Sequence, residues 1–265
     1  MYPSLHLNLG EAYRRLSGHA RARAHLDQGR AVAALADDGY GRMIIGGLER
    51  LGWRGLSRTG GNGLVDMIEH HPDAAFGHLG TPRLILRRFV PDDLAAFVEY
   101  RCDPEVARYQ SWDAPFSVES GERFLAELAT AHPGTPGEWF QFAVCRRVDG
   151  VLIGDCAACS TAHDPRLVEI GFTFARAHQR RGYATEAVGH LLQYLFTAQH
   201  ERPPAHRVSA SCDVRNVRSA GLLERLGMRR EAHHVESAWY GGEWTSEYTY
   251  ALLRREWFTQ RSAAP

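Results

Sequence analysis

The sequence predicts a mixed α/β fold, a single mixed sheet flanked by helices, with a small all-α extension in front of it. Three observations carry this. From Pro82 onward, short alternating apolar runs interleave with helix-periodic ones. Val168 to Phe174 reads as a strand, and beyond it Ala184, Ala187, Val188, Leu191, Leu192, Leu195 and Phe196 fall on one face of a long helix. Residues 7–32, by contrast, read as two short helices around a turn near Ser17 and Gly18.

A chain of 265 residues can hold one large domain, or a modest domain with an appendage. Its 44% hydrophobic and 23% charged content is ordinary for a folded protein. The formal net charge is zero, so bulk composition points to neither nucleic acid nor an acidic membrane surface. All 31 basic residues are Arg, which removes lysine-based covalent chemistry. Cysteines at 102, 145, 156, 159 and 212 form no even framework, and no secretory signal or long apolar run is present. A reducing cytoplasm and no membrane partner are therefore expected. Cys156-x-x-Cys159 has no second ligand pair at matching spacing, and neither His70-His71 nor His233-His234 sits in a His-Glu-x-x-His pattern. No metal is expected.

In chain order, Leu9, Gly10, Tyr13, Ala22, Leu26 and Gly29 fall close to the pattern of one tetratricopeptide repeat, which this segment resembles. Gly41 to Leu51 reads as a third helix that could cap it. A single repeat cannot bury its apolar face alone. It packs on the second domain, on a partner or second copy of the chain, or is a remnant of a longer array. Gly60-Gly61-Asn62-Gly63 marks a linker, with a short helix over 64–70. The expected division is 1–51 helical extension, 52–81 linker, 82–258 mixed domain and 259–265 tail.

Within the mixed domain, Arg83 to Phe89 alternates as a strand, and Pro91-Asp92-Asp93 starts a helix with acids at its positive end. Helices also open at Asp103-Pro104-Glu105 and over 119–130. Trp139 to Arg146 and Val151 to Cys159 read as a hairpin turning at Asp149-Gly150. Val208 to Val214 is a strand, Asn216 caps a helix that Gly227 ends, and a last hairpin turns over Gly241-Gly242.

The chemistry is concentrated at Gln179-Arg180-Arg181-Gly182-Tyr183-Ala184-Thr185, between the strand at Val168 and the long helix. The unpaired amides and dipole of a helix N-terminus favour an anion, the arginines add charge, and Gly182 lets a phosphate approach the backbone. The loop resembles the Q/R-x-x-G-x-G/A signature of the general N-acetyltransferase (GNAT) superfamily. Arg83-Leu84-Ile85-Leu86-Arg87, Asp103-Pro104-Glu105-Val106, Glu169-Ile170-Gly171-Phe172 and Asn216-Val217-Arg218-Ser219 are similar to segments of its ribosomal-protein N-terminal acetyltransferase (RimJ/RimL-like) branch.

The resemblance implies the GNAT acyl-CoA acyltransferase fold and acetyl-CoA as co-substrate. Gln179, Arg180, Arg181, Gly182, Tyr183, Ala184 and Thr185 would then hold its pyrophosphate. The strand backbone at Ile170, Phe172 and Phe174 would pair with the pantetheine arm, together with Asn216, which reads equally as a helix cap. Direct attack by a primary amine needs a base. Glu169 is the candidate, with Glu236 a second. Ser219 matches a serine placed near the sulfur. Two departures qualify the resemblance. Leu223 stands where many relatives carry a tyrosine acid, and Ala238-Trp239 stands where some members of the branch place a glutamate. Trp112, Trp139, Trp239, Tyr240 and Trp244 are candidates to line an acceptor pocket, and no acidic cluster stands out that would demand a polyamine. The implied function is acetyl transfer to a protein N-terminus or small amine. The alternative is an acyl-CoA-binding scaffold without turnover, recruited through its helical extension.

Overall fold

A computed structural model describes residues 73–262, apart from 74, 111, 113, 114, 198–202 and 241. The helical-repeat reading of 7–51 and the helix read at 64–70 lie outside the described residues. The elements run β1 (His78–Gly80), β2 (Leu84–Arg87), α1 (Leu94–Cys102), α2 (Pro104–Ala107), α3 (Val118–Thr130), β3 (Trp139–Arg146), β4 (Leu152–Ser160) and β5 (Leu167–Phe174). They continue with α4 (Tyr183–Phe196), β6 (Arg207–Asp213), α5 (Val217–Arg225), β7 (Arg229–Tyr240), β8 (Glu243–Leu253) and α6 (Arg254–Ser262).

The described strands form one sheet in the order β1-β2-β3-β4-β5-β6-β8-β7. Every neighbouring pair is antiparallel except β5 and β6, which are parallel. Strand alternation sends side chains to two cores. On one face Phe140, Phe142, Val144, Ile153, Val168 and Ile170 pack with Val188, Leu191 and Leu192 of α4. On the other, Ala143, Cys145 and Leu152 pack with Phe97 and Tyr100 of α1. Each fully buried side chain of this size contributes about 1.5–3 kcal/mol, so α4 and α1 are fixed on opposite faces.

Two stretches differ from the sequence reading. Residues 78–80, read as the end of a linker, form β1. Just before it, Phe76 is buried edge-on against Phe142 and Tyr194, with centroids at 5.2 and 5.8 Å. One buried aromatic and three strand residues are too short a run to show periodicity. The tail read at 259–265 overlaps α6, which reaches Ser262. That helix is strongly charged and is anchored by Trp257, which is buried and donates to Gln193 Oε1 at 2.9 Å.

The alternation also settles the cysteine pair. Cys156 is buried in the α4-side core while Cys159, three residues on, is of opposite strand parity and points to the other face. None of the five cysteines forms a disulfide, and burial pushes the Cys145 and Cys212 thiols up to about 11.

Candidate active site

β5 and β6 stay in register over only three pairs, Leu167↔Arg207, Val168↔Val208 and Glu169↔Ser209. Beyond Glu169, β5 stays bonded to β4 as far as the Gly154↔Phe174 pair, and β6 stays bonded to β8 as far as Asp213↔Glu247. The sheet therefore splits between two strands that are each held on one side only. Along the split β5 has no strand partner on the β6 side beyond Glu169 among the described residues, which leaves backbone edge at Ile170 and Phe172, while the Phe174 carbonyl accepts from Gln179.

At the end of β5 the chain makes a short 3-10 turn over Arg176–His178 and then the loop that opens α4. Arg180 (φ 60°) and Gly182 (φ 78°) are both left-handed, flanking Arg181. The first bond of α4 runs from Glu186 N–H to Gly182 C=O at 3.1 Å, so the N–H groups of Tyr183, Ala184 and Thr185 have no acceptor within the helix. Arg180, Arg181 and Gly182 are exposed. The loop is thus a cationic N–H cradle of the kind that binds phosphate.

Gln179 braces the loop. Its Nε2 donates to the Phe174 carbonyl at 2.9 Å, its Oε1 accepts from Arg218 Nη1 at 3.0 Å, and its N–H donates to Arg176 C=O at 3.2 Å. Its amide groups are committed to clamping the loop between β5 and α5. A second clamp comes from Glu186. It accepts from Thr81 Oγ1 at 2.5 Å, from the Arg83 N–H at 2.9 Å and from Arg83 Nε at 2.6 Å. Burial acts to raise the Glu186 carboxyl, but the bonds from Thr81 and Arg83 outweigh it and hold the pKa below the ordinary value. Arg83 Nη1 also donates to Arg181 C=O at 3.0 Å, and its guanidinium lies 4.8 Å from the Tyr183 ring.

On the α5 side of the split, Asn216 Oδ1 accepts from Ser219 N–H at 3.2 Å, the cap expected of it. Ser219 is half-buried in the first turn of α5. Leu223 is 1% exposed and packs into the main core, so the position that carries an acid in many relatives faces away from water here.

The α1-side face of the split holds a group that residue spacing concealed. Glu169 pairs with Ser209, so alternation places Ser209, Ser211 and Asp213 on its face. Opposite Asp213 on β8 is Glu247. Glu169 and Asp213, on the same face from β5 and β6, both act electrostatically on Glu247 of β8. The three lie 44 and 34 residues apart in sequence (213 − 169 and 247 − 213). The alternation of Tyr248, Tyr250 and Leu252 on the core face was the available signal that Glu247 faces the other way.

The remaining candidates are placed as follows. Glu236 is an exposed, positive-φ residue (47°) in a bulge of β7. Trp112 covers the buried Arg101 guanidinium at 4.0 Å and donates to the Arg101 carbonyl at 3.2 Å, so it is a packing residue. Trp239 and Trp244 pair edge-on at 5.4 Å across the last hairpin and are more than half exposed, at 57% and 59%. Trp139, half-buried, begins β3. Among the described residues no group of three His, Cys, Asp or Glu could hold a metal ion, and no helix is long and apolar enough to cross a membrane.

A mixed sheet split beside an N–H cradle at a helix start defines an acyl-CoA-dependent acetyltransferase. The acetyltransferase (GNAT) domain family matches residues 83–229, and the chain belongs to that family. It is 32% identical over 180 residues to the uncharacterized N-acetyltransferase YnaD of Bacillus subtilis (strain 168), covering 68% of this chain and 99% of the relative. The crystal structure of a GNAT-family acetyltransferase from Bacillus anthracis superposes with a TM-score of 0.60 at 29% identity, covering 68% of this chain and 99% of that one. A more distant relative, the [ribosomal protein uS5]-alanine N-acetyltransferase of Escherichia coli (strain K12), is 28% identical over 88 residues, 33% of this chain and 43% of its own length. The chain is an acetyltransferase whose co-substrate is acetyl-CoA, and its acceptors are amines.

Proposed function

We propose that the chain acetylates a cationic primary amine, either a protein N-terminus or a small molecule, by direct attack on acetyl-CoA held along the split between β5 and β6. The N–H groups from Arg180 to Thr185, with the Arg180 and Arg181 side chains, hold the pyrophosphate. Gln179 shapes the loop around it. The backbone of Ile170, Phe172 and Phe174 pairs with the pantetheine arm as a neighbouring strand would, and Asn216 closes the other side. Acetyl-CoA supplies the activated acyl carbon. A carboxylate on the face of the split where Glu169 lies removes the amine proton directly or through a water, and Ser219 hydrogen-bonds the departing thiolate. A thiol's ordinary pKa of about 8.5 means that the thiolate can leave without the acid that Leu223 replaces.

The observation that supports this reading is the parting of β5 from β6 immediately after the Glu169↔Ser209 pair, next to the loop that opens α4. The carboxyls of Glu169 and Glu247 on one face favour a positively charged acceptor. An alanine of ribosomal protein uS5 stands in the name of one relative, which supports testing peptide acceptors beside small amines. In the same reading the enzyme works in the cytoplasm without nucleic acid.

The test is thiol release from acetyl-CoA across peptides beginning with Ala or Ser, polyamines, amino acids and aminoglycosides. Amine-dependent release with at least one class is expected. Tight acetyl-CoA binding without release from any of them would contradict the reading and leave an acyl-CoA-binding scaffold.

A further inference from the structure

The three carboxyls on this face of β5, β6 and β8 are not equivalent. Asp213 is committed: it accepts from the Arg215 N–H at 2.8 Å and from Arg215 Nε and Nη2 at 3.0 and 2.7 Å. Arg215 is itself bonded to Glu243 at 2.7 Å. Glu247, directly across β8 from Asp213, is half-buried, and its side chain makes no hydrogen bond or ion pair among the described residues.

We propose that Glu247 is the base that takes the proton from the acceptor amine, an inference that rests on the acetyl-transfer reading above. On β8 it lies opposite Asp213, on the same face of the sheet as Glu169, across β6 from the split and toward the end where β5 and β6 part. An uncommitted carboxyl there is available to an incoming ammonium, whereas Asp213 is already neutralised by Arg215. The charged and titratable groups acting on Glu247 are Asp213 from β6, Glu169 from β5 and His234 from β7, while Arg215 and Arg108 act on Asp213. Burial holds the Glu247 carboxyl above its ordinary value. His234 pulls it down, and Asp213 and Glu169 push it further up. A base raised in this way works closer to neutral pH than an exposed glutamate does.

The step balances as follows. The ammonium gives one proton to the Glu247 carboxylate, and the freed lone pair forms the C–N bond to the acyl carbon. The C–S bond breaks with its electron pair going to sulfur. The second nitrogen proton is lost as the amide forms and ends on the thiolate, while Glu247 returns its proton to solvent. His234, exposed and paired in register with Glu247, stands on the strand beside it.

The experiment compares Glu247→Gln, Glu247→Asp and Glu169→Gln with the wild type, using the best amine found above. Acetyl-CoA affinity and the thermal midpoint are measured for each variant. Glu247→Gln is expected to lower kcat by about 10²–10⁴-fold, the range for loss of a general base, with acetyl-CoA affinity within about twofold of wild type. It is also expected to erase the rise of kcat/KM with pH that reports Glu247 ionising, leaving only the rise set by the amine. Glu247→Asp should restore part of that limb, and Glu169→Gln should raise the KM for the amine while keeping it. A Glu247→Gln enzyme with wild-type kcat and pH profile overturns the inference and leaves acetyl transfer standing. Loss of the limb in Glu169→Gln alone also overturns it. A wild type that transfers acetyl to no amine overturns both readings.

Discussion

Glu186 in the first turn of α4 receives the backbone N–H of Arg83 at 2.9 Å and its guanidinium Nε at 2.6 Å, across 103 residues of sequence. The contact does two things at once. It neutralises a carboxylate at the helix N-terminus, and it ties the phosphate cradle to β2. Because Arg83 also donates to the Arg181 carbonyl, the shape of the cradle depends on a residue from the start of the domain.

Replacing Glu186 by Ala leaves Thr81 and the Arg83 N–H without their shared acceptor. A loss of about 1–2 kcal/mol is expected, at the low end for bonds to a charged group because Arg83 is half exposed. The pH dependence has a definite sign. The folded-state pKa of Glu186 is depressed, so its contribution is present above the unfolded value of about 4.3 and is lost as pH falls through the folded value. Urea unfolding at pH 7 and near pH 3 should therefore show a wild-type-to-variant gap that closes on acidification.

Asp155 on β4 is buried at 3% exposure and accepts from Tyr100 Oη at 2.5 Å, with Arg101 Nη2 at 3.8 Å. Arg101 is itself 5% exposed and enclosed by Phe97 and Trp112, at 4.3 and 4.0 Å. Asp155→Ala strands a buried cation and a buried hydroxyl together, so a loss of about 3–5 kcal/mol is expected by guanidinium unfolding. Since α1 rests on this triad, a higher KM for the amine should accompany it in preparations that remain folded.

Asn216 offers two roles that one pair of substitutions separates. Asn216→Ala removes the cap on Ser219 N–H and should cost about 1 kcal/mol of stability. Asn216→Ser keeps a capping oxygen, so stability should hold. If the side chain also binds the pantetheine, acetyl-CoA affinity should still fall, which calorimetry reads directly.

Ser219→Ala removes only a hydroxyl, because the Ser219 N–H remains bonded to Asn216. A serine that stabilises the leaving thiolate should give a lower kcat, by about tenfold for one hydrogen bond of about 1–1.5 kcal/mol, with the KM for the amine unchanged. An unaltered kcat would assign Ser219 to packing.

What was legible in the sequence was what is local. The strand, the Gly-containing turn and the helix at 168–196 lie side by side in the chain, so the phosphate cradle and its likeness to a known signature could be read directly. The split in the sheet followed from that likeness and has a structural expression in the three-pair register of β5 and β6. The acceptor face was not legible. Glu247 comes opposite Asp213, on the face that Glu169 shares, only after the strands have been ordered, and its neighbours Trp244, Tyr248 and Tyr250 draw attention to packing instead. The side-chain bonds of Gln179 to Phe174 and Arg218 brace the loop, and the one to Arg218 spans 39 residues and leaves no local signal. β1 and α6 escaped because three residues, or one buried tryptophan among charges, carry too little periodicity.

The central claim is that the loop at 180–185 holds acetyl-CoA, and Gly182 is the place to strike it. Gly182 is left-handed at φ 78°, and a Cβ there would lie 3.3 Å from Arg83 Nη2, so Gly182→Glu should cost the fold about 1–2 kcal/mol. The added carboxylate would occupy the position given to the pyrophosphate. Calorimetric titration of acetyl-CoA into wild type and Gly182→Glu, both checked for a cooperative unfolding transition, is the most direct test. The account predicts one-to-one binding by the wild type and no detectable binding by the folded variant. Equal affinity in the two would contradict it.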